Sequence, residues 1–270
     1  MIENVLAWIV GIIISVSPPG IQPSLPKYKV TEKTYITESR ESEQEALARY
    51  NSIAEDLVEV MYNPQTQPLF KDPDGRSHSL AVVLGIMKHE SGGFRKDVDL
   101  AIGPRSRGDK GASWCMMQIN IGKGRTQQWN FVQNREPRWG DPVNELEEGR
   151  YGFELIKDRK LCITEGYKLV TRSFKAGTQL KDKLRIYASG SFNRGGSASK
   201  NRISTAEYFW YKTKNQRTWN DNDIVKELAE KHIQKNRSKD IDKMNIALSD
   251  SYDLNIRPNF GNGFVGLAYN

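Results

Sequence analysis

The sequence predicts a mainly α domain, on the strength of three stretches. Ser42 stands three residues before Glu45 at the head of an apolar stripe of Leu47, Tyr50, Ile53, Ala54, Leu57 and Met61. A serine cap with glutamate at the third helical position satisfies free amides at a helix start, and the stripe recurs at helical spacing. Leu80, Val83, Leu84 and Met87 repeat that spacing, and Gly92 with Gly93 follow as a stop. Asp141 and Pro142 then supply the cap and first-turn residue of a further helix, through Leu146, Phe153 and Ile156 to about Lys160.

Composition narrows the class. At 270 residues the chain is long enough for one sizeable domain with appendages. With 37% hydrophobic and 27% charged residues it has the makings of a core, which argues against disorder throughout. A formal charge of +7 favours anionic partners, among them nucleic acid, acidic lipid and the anionic polymers of a bacterial wall. No zinc-finger spacing, RNA-binding aromatic pattern or phosphate-cradling loop accompanies that charge, so no nucleic acid partner is expected. His78, His89 and His232 lack ligand spacing, and neither a metal nor a cofactor is expected.

In chain order, Val5 to Val16 is almost continuously apolar, but its dozen or so residues fall short of the ~20 that cross a bilayer. Trp8 suits an interface, and Lys27, Lys29 and Lys33 lie beyond it. Residues 1–17 therefore read as an export signal or membrane anchor, although Glu3 and the lack of a preceding Lys or Arg depart from a secretory signal. A terminal helix packed on the domain is the alternative. Pro18, Pro19, Pro23 and Pro26 make residues 18–41 a linker, extended and then polar. The domain is expected over 42–236. Its later helices lie near Leu180 to Ala188, Ser199 to Lys214 and Asp223 to Lys235, and residues 237–270 form a tail in which the periodicity fades.

Glu90 breaks the pattern of the second stretch, because one turn beyond Met87 the apolar face ends in an acid. The negative end of the helix dipole and the apolar neighbours both disfavour its ionised form. A carboxyl group that keeps its proton near neutral pH is what general acid catalysis requires. Asp97 and Asp99, in the loop that follows, read as solvated acids.

Glu90-Ser91-Gly92-Gly93-Phe94, then Gly111-Ala112-Ser113-Trp114-Cys115-Met116-Met117-Gln118-Ile119-Asn120, resemble the paired signatures of the lysozyme-like superfamily. Soluble lytic transglycosylases and goose-type lysozymes carry both. Asp141 to Gly149 and Ile186 to Gly190 are similar to the later motifs of those enzymes, in the same order. The resemblance covers about residues 45 to 212 and implies a lysozyme-like, α+β variant of the mainly α fold. It implies that Glu90 is the acid, that Gln118 bonds a substrate N-acetyl group, and that Tyr187 orients Glu90. Ser91 closes the helix or positions substrate, and Tyr208 resembles a late tyrosine of the family. Asp109 falls at the first aspartate of the goose-type pattern and is a second catalytic candidate, while Asn120 stands at the position of the second aspartate and is a candidate substrate contact. Cys115 departs from the glycine usual there. The resemblance brings Cys115 near Cys162, so a disulfide between them is expected if the chain is exported.

The activity so implied is that of a peptidoglycan lytic transglycosylase, leaving 1,6-anhydro ends. A goose-type hydrolase and a non-catalytic wall-binding component of a virion or secretion apparatus are the alternatives. The expected partner is the glycan strand, with membrane anchoring by the N-terminus and a secretion-apparatus or virion partner as further possibilities. The expected location is exported, periplasmic or cell-envelope, or virion-associated for a phage protein.

Overall fold

The computed structural model describes residues 1–20, 41–100, 108–109, 112–121 and 145–253. Among these the protein is mainly helical, and the chain divides into Met1–Leu228 and Ala229–Asn270. The apolar start forms α1 (Ile2–Val16), which lies along α2 (Glu43–Met61) and buries Ile2, Val5, Trp8, Ile9, Ile12 and Ile13 in the core. The Tyr50 hydroxyl of α2 donates to the Ser17 carbonyl at 2.9 Å, fixing the end of α1. Trp8 meets Trp219 with ring centroids 5.9 Å apart, and the Ile2 amide donates to Glu227 at 3.1 Å. This is the packed-helix arrangement for residues 1–17. No helix among the described residues is long and apolar enough to cross a membrane. Most of the linker, residues 21–40, lies outside the described residues.

Both bonds of the capping box form at the start of α2. The Glu45 amide donates to Ser42 Oγ at 3.2 Å, and the Ser42 amide donates to Glu45 Oε2 at 2.7 Å. In α3 (Gly75–Glu90) the burial is wider than the predicted stripe, since every residue from Leu80 to Met87 is buried. A helix apolar on all sides belongs in the middle of a bundle. There α3 lies along α8 (Gly196–Gln216), and the two approach closely at Gly85. A Cβ on Gly85 would stand 3.0 Å from the Ala206 amide nitrogen and 3.1 Å from the Arg202 carbonyl oxygen, so a side chain there would push the helices apart.

After the short helix α4 (Lys96–Asp99) comes an antiparallel pair, β1 (Ser113–Trp114) and β2 (Ile119–Asn120). Ser113 faces Asn120 and Trp114 faces Ile119. Met116 to Gln118 form the turn between these strands, closed by the Gln118 amide donating to the Cys115 carbonyl at 2.9 Å. Cys115 at φ 59° and Gln118 at φ 45° turn the chain through the left-handed region.

The predicted start of the next helix at Asp141 and Pro142 lies outside the described residues. α5 (Glu145–Lys157) ends before Lys160, and Asp158 begins α6 (Arg159–Ala176), its side chain accepting from the Leu161 amide at 3.1 Å. The expected single helix is thus two, because Asp158 leaves helical geometry (φ −120°, ψ 95°) and caps the second. Cys162 consequently sits in the first turn of α6 rather than at the end of the preceding helix. The stretch expected to be helical from Leu180 to Ala188 is a 3₁₀ turn, Leu180–Asp182, followed by α7 (Arg185–Ser189). α9 (Asp221–Asp253) continues beyond Arg237, where the sequence periodicity fades.

Asp97 and Asp99 are buried, which corrects their reading as solvated acids. Asp99 accepts from Arg159 Nε at 2.9 Å and from a second Arg159 nitrogen at 3.0 Å, while Arg159 also reaches Asp56 on α2. Asp97 pairs with Arg95. Arg49 of α2 donates to the Phe94 carbonyl at 2.9 Å and pairs with Glu41. The partners of Asp99 come from α2 and α6, distant in sequence, so its neighbours in the chain gave no sign of them.

Candidate functional site

Glu90 is the last residue of α3, and the chain reverses directly after it. Gly92 takes φ 63°, a left-handed backbone that glycine adopts without steric cost, and the Gly93 amide donates back to the Lys88 carbonyl at 2.8 Å. Ser91 is buried inside this reversal. Its Oγ donates to the Met87 carbonyl at 2.5 Å and accepts from the Phe94 amide at 2.7 Å. Of the roles expected for Ser91, helix closure is the one its bonds perform, and no surface is left to meet substrate.

The Glu90 side chain keeps only 15% of its exposure. Arg202 on α8 donates to its Oε1 from Nε at 2.8 Å and stands 2.7 Å away through NH2. Burial pushes the Glu90 carboxyl above its ordinary range. Arg202 opposes the rise, and the negative charge of Asp109 adds to it. Glu90 and Asp109, distant in sequence, are therefore close enough to act on each other.

Asp109 is held by the strand pair. Its Oδ2 accepts from Ser113 Oγ at 2.9 Å and from Asn120 Nδ2 at 2.7 Å, and those two residues are register partners. Asn120, expected at a substrate position, is buried and also donates to Ser113 Oγ at 3.2 Å, so it orients the acid. Gln118, expected to bond a substrate N-acetyl group, is tied into the turn. Its Nε2 donates to the Cys115 carbonyl at 2.9 Å, and its Oε1 accepts from the Gly108 amide at 2.6 Å, tying the turn to the residue beside Asp109.

Tyr187 on α7 was expected to orient Glu90. Its hydroxyl instead donates to the Met117 carbonyl at 2.5 Å, in the turn. Burial raises that hydroxyl well above its ordinary range, the Glu90 charge raises it further, and Arg202 works the other way. Tyr187 is thus beside the Glu90 cluster and supports it through the turn. Tyr208 is half exposed on α8, and the Lys212 ammonium lies 5.4 Å from its ring centroid. No described contact brings Tyr208 to Glu90.

A disulfide joins Cys115 to Cys162, with their Cα atoms 6.3 Å apart, and fastens the turn to α6. Cys115 occupies the left-handed backbone that glycine takes freely, at a steric cost of about 1–2 kcal/mol for any other L-residue. The left-handed backbone at Cys115 is therefore paired with a covalent restraint at the same residue. One turn further along α6, Gly166 makes room for Met117, whose Cβ would lie 2.8 Å from an added Cβ.

Arg202 is the residue that sequence reasoning missed. It is one of 40 lysines and arginines, and only the packing of α8 on α3 marks it. Among the described residues no group of three or more His, Cys, Asp or Glu side chains is placed to hold a metal ion. The arrangement can hold a carboxylic acid protonated beside a carboxylate and release its proton against an arginine. Comparison of the chain with known proteins finds no matching family model, no matching curated protein and no matching solved structure.

Proposed function

We propose that the protein is a lysozyme-like enzyme that cleaves the glycan strands of peptidoglycan as a lytic transglycosylase. One observation carries the proposal: Glu90 ends an otherwise apolar helix, is largely buried, and is biased toward its protonated form beside Asp109. In this reading Glu90 gives its proton to the glycosidic oxygen between N-acetylmuramic acid and N-acetylglucosamine, and that C–O bond breaks. The muramic acetamido group supports the positive charge developing at C1. The Glu90 carboxylate then takes the proton of the 6-hydroxyl as its oxygen closes on C1, which leaves a 1,6-anhydro end and adds no water. Asp109 favours the protonated starting state, and Arg202 favours the carboxylate that follows. Export to the envelope, by the host or in a virion, belongs to the same proposal, because the substrate lies outside the inner membrane. The Cys115–Cys162 disulfide supports it, since such bonds persist in oxidising compartments.

The test is release of soluble muropeptides from purified sacculi. Glu90→Gln keeps the shape and removes the proton, so release is expected to fall on the order of 10²- to 10⁴-fold. Release at the parental rate would sink the proposal. Mass spectrometry of the products is expected to find ends lighter by one water. The hydrolase reading is favoured by one observation, the two hydrogen bonds that orient Asp109. Under that reading products carry reducing ends, and Asp109→Asn costs on the order of a hundredfold as the water-holding base is lost. Binding to sacculi without release would select the non-catalytic reading.

A further inference from the structure

We propose that Arg202 is the positioning residue of the site, pinning Glu90 Oε1 so that Oε2 is the oxygen that gives and takes the proton. The inference rests on the reading of Glu90 as the acid. Both contacts from the guanidinium to Glu90 go to the same oxygen, Nε at 2.8 Å and NH2 at 2.7 Å. The third nitrogen, NH1, donates to the Ala198 carbonyl at 3.0 Å, one turn back on α8, so the planar group is locked at both ends. Its backbone is fixed too, because the Arg202 carbonyl lies against Gly85 at the tightest approach of α8 to α3. Among the described residues no hydrogen bond reaches Glu90 Oε2.

A guanidinium carries donors only and stays charged, so a proton on Oε1 would face other protons while a proton on Oε2 would not. The geometry therefore separates the carboxyl group into an anchored oxygen and a working one. The charged and titratable groups facing Glu90 are Arg202 from α8, Asp109 from the segment before β1 and Tyr187 from α7. On its own helix, Lys88 precedes it, and His89 points its ring to Thr205 Oγ1 at 2.9 Å. Arg202 is the counterweight in this set. Burial and Asp109 hold the proton on, and the arginine keeps the acid strong enough to release it. Without Arg202 the proton would be held too tightly, and the carboxyl would lose its fixed rotamer.

The experiment follows the Glu90 carboxyl directly, by carbon NMR titration of full-length protein with labelled glutamate, the resonance being assigned by its disappearance in Glu90→Gln. Wild type, Arg202→Lys and Arg202→Met are compared, with circular dichroism melts as the folding control. The expected midpoint rises from wild type through Arg202→Lys to Arg202→Met. In muropeptide release, Arg202→Met is expected to lower kcat on the order of a hundredfold with little change in KM, the size of effect a misplaced group produces. The limb of the pH profile that requires protonated Glu90 is expected to move to higher pH. A midpoint unchanged or lowered, or a loss of rate equal at every pH, would overturn the proposal. If Arg202→Met does not fold, Arg202→Lys decides: it keeps the charge and loses the fork, so an unshifted midpoint with wild-type kcat overturns the inference. A wild-type protein that releases nothing from sacculi would refute the enzymatic reading, while the titration would still judge the Arg202–Glu90 coupling.

Discussion

Helix α3 has a buried carboxylate at each end, Asp221 at its start and Glu90 at its finish, and they are treated in opposite ways. Asp221, supplied by α9, is 2% exposed and accepts from the Arg76 and Ser77 amides at 2.9 Å each and from Ser77 Oγ at 2.5 Å. Tyr62 adds a longer bond at 3.4 Å, and an Arg217 nitrogen lies at 3.7 Å. A negative charge at a helix N-terminus meets free amides and the positive end of the dipole. Glu90 meets the negative end of the same helix, one arginine on one oxygen, and a second acid nearby. Burial of a carboxylate is thus no sign of function by itself. What separates the two is how far the ionised form is satisfied.

The sharpest way to break this comparison is to remove both acids in turn. Asp221→Ala strands two helix amides and a buried hydroxyl, so a loss of roughly 3–5 kcal/mol is expected. In a differential scanning melt that lowers Tm by about 10 °C for a domain of this size. Glu90→Gln is expected to melt close to wild type while release falls on the order of 10²- to 10⁴-fold. Equal destabilisation by the two substitutions would end the distinction between a structural and a functional carboxylate.

The disulfide sharpens the comparison from a different side, because it restrains the turn near Glu90 and nothing near Asp221. Replacing Cys115 and Cys162 together by serine is expected to cost about 2–4 kcal/mol. Hydrogen exchange should locate the effect. The Gln118 and Gly108 amides are expected to lose protection, while those of Arg76 and Ser77, which bond Asp221, keep theirs until global unfolding. Uniform loss of protection at both ends of α3 would contradict a local role for the bond.

The smallest effect expected is a pH dependence. A carboxyl whose folded pKa is raised binds its proton more tightly in the native state, so between the unfolded value of 4.5 and the higher folded value the native state holds more protons. The slope of unfolding free energy with pH is then negative, and stability falls as pH rises through that window. Glu90→Gln lacks the titration. The Tm difference between wild type and Glu90→Gln should therefore move against wild type as pH increases from 4.5 upward, and a difference constant with pH would remove the raised carboxyl.

By itself the sequence determined what depends on near neighbours. Ser42 and Glu45 specify a capping box within one turn, and Gly92 with Gly93 specify the stop after Glu90, since both rest on backbone geometry that a few residues control. The place of Glu90 at the end of an apolar helix followed from spacing alone. Tertiary structure decided which groups reach that acid and which residues only hold the frame. Arg202 comes from a helix 112 positions away, and Asp109 is oriented by the register of β1 against β2. Ser91, Gln118, Asn120 and Tyr187, each plausible as a substrate contact from its motif, have their bonds within the scaffold. The apolar segment from Val5 to Val16 was ambiguous for the same reason, because an apolar face is equally suited to lipid and to another helix, and the fold places α2 against it. Local hydrogen bonds and periodicity act over a few residues, whereas the partner of a buried charge is set by packing between segments far apart in the chain.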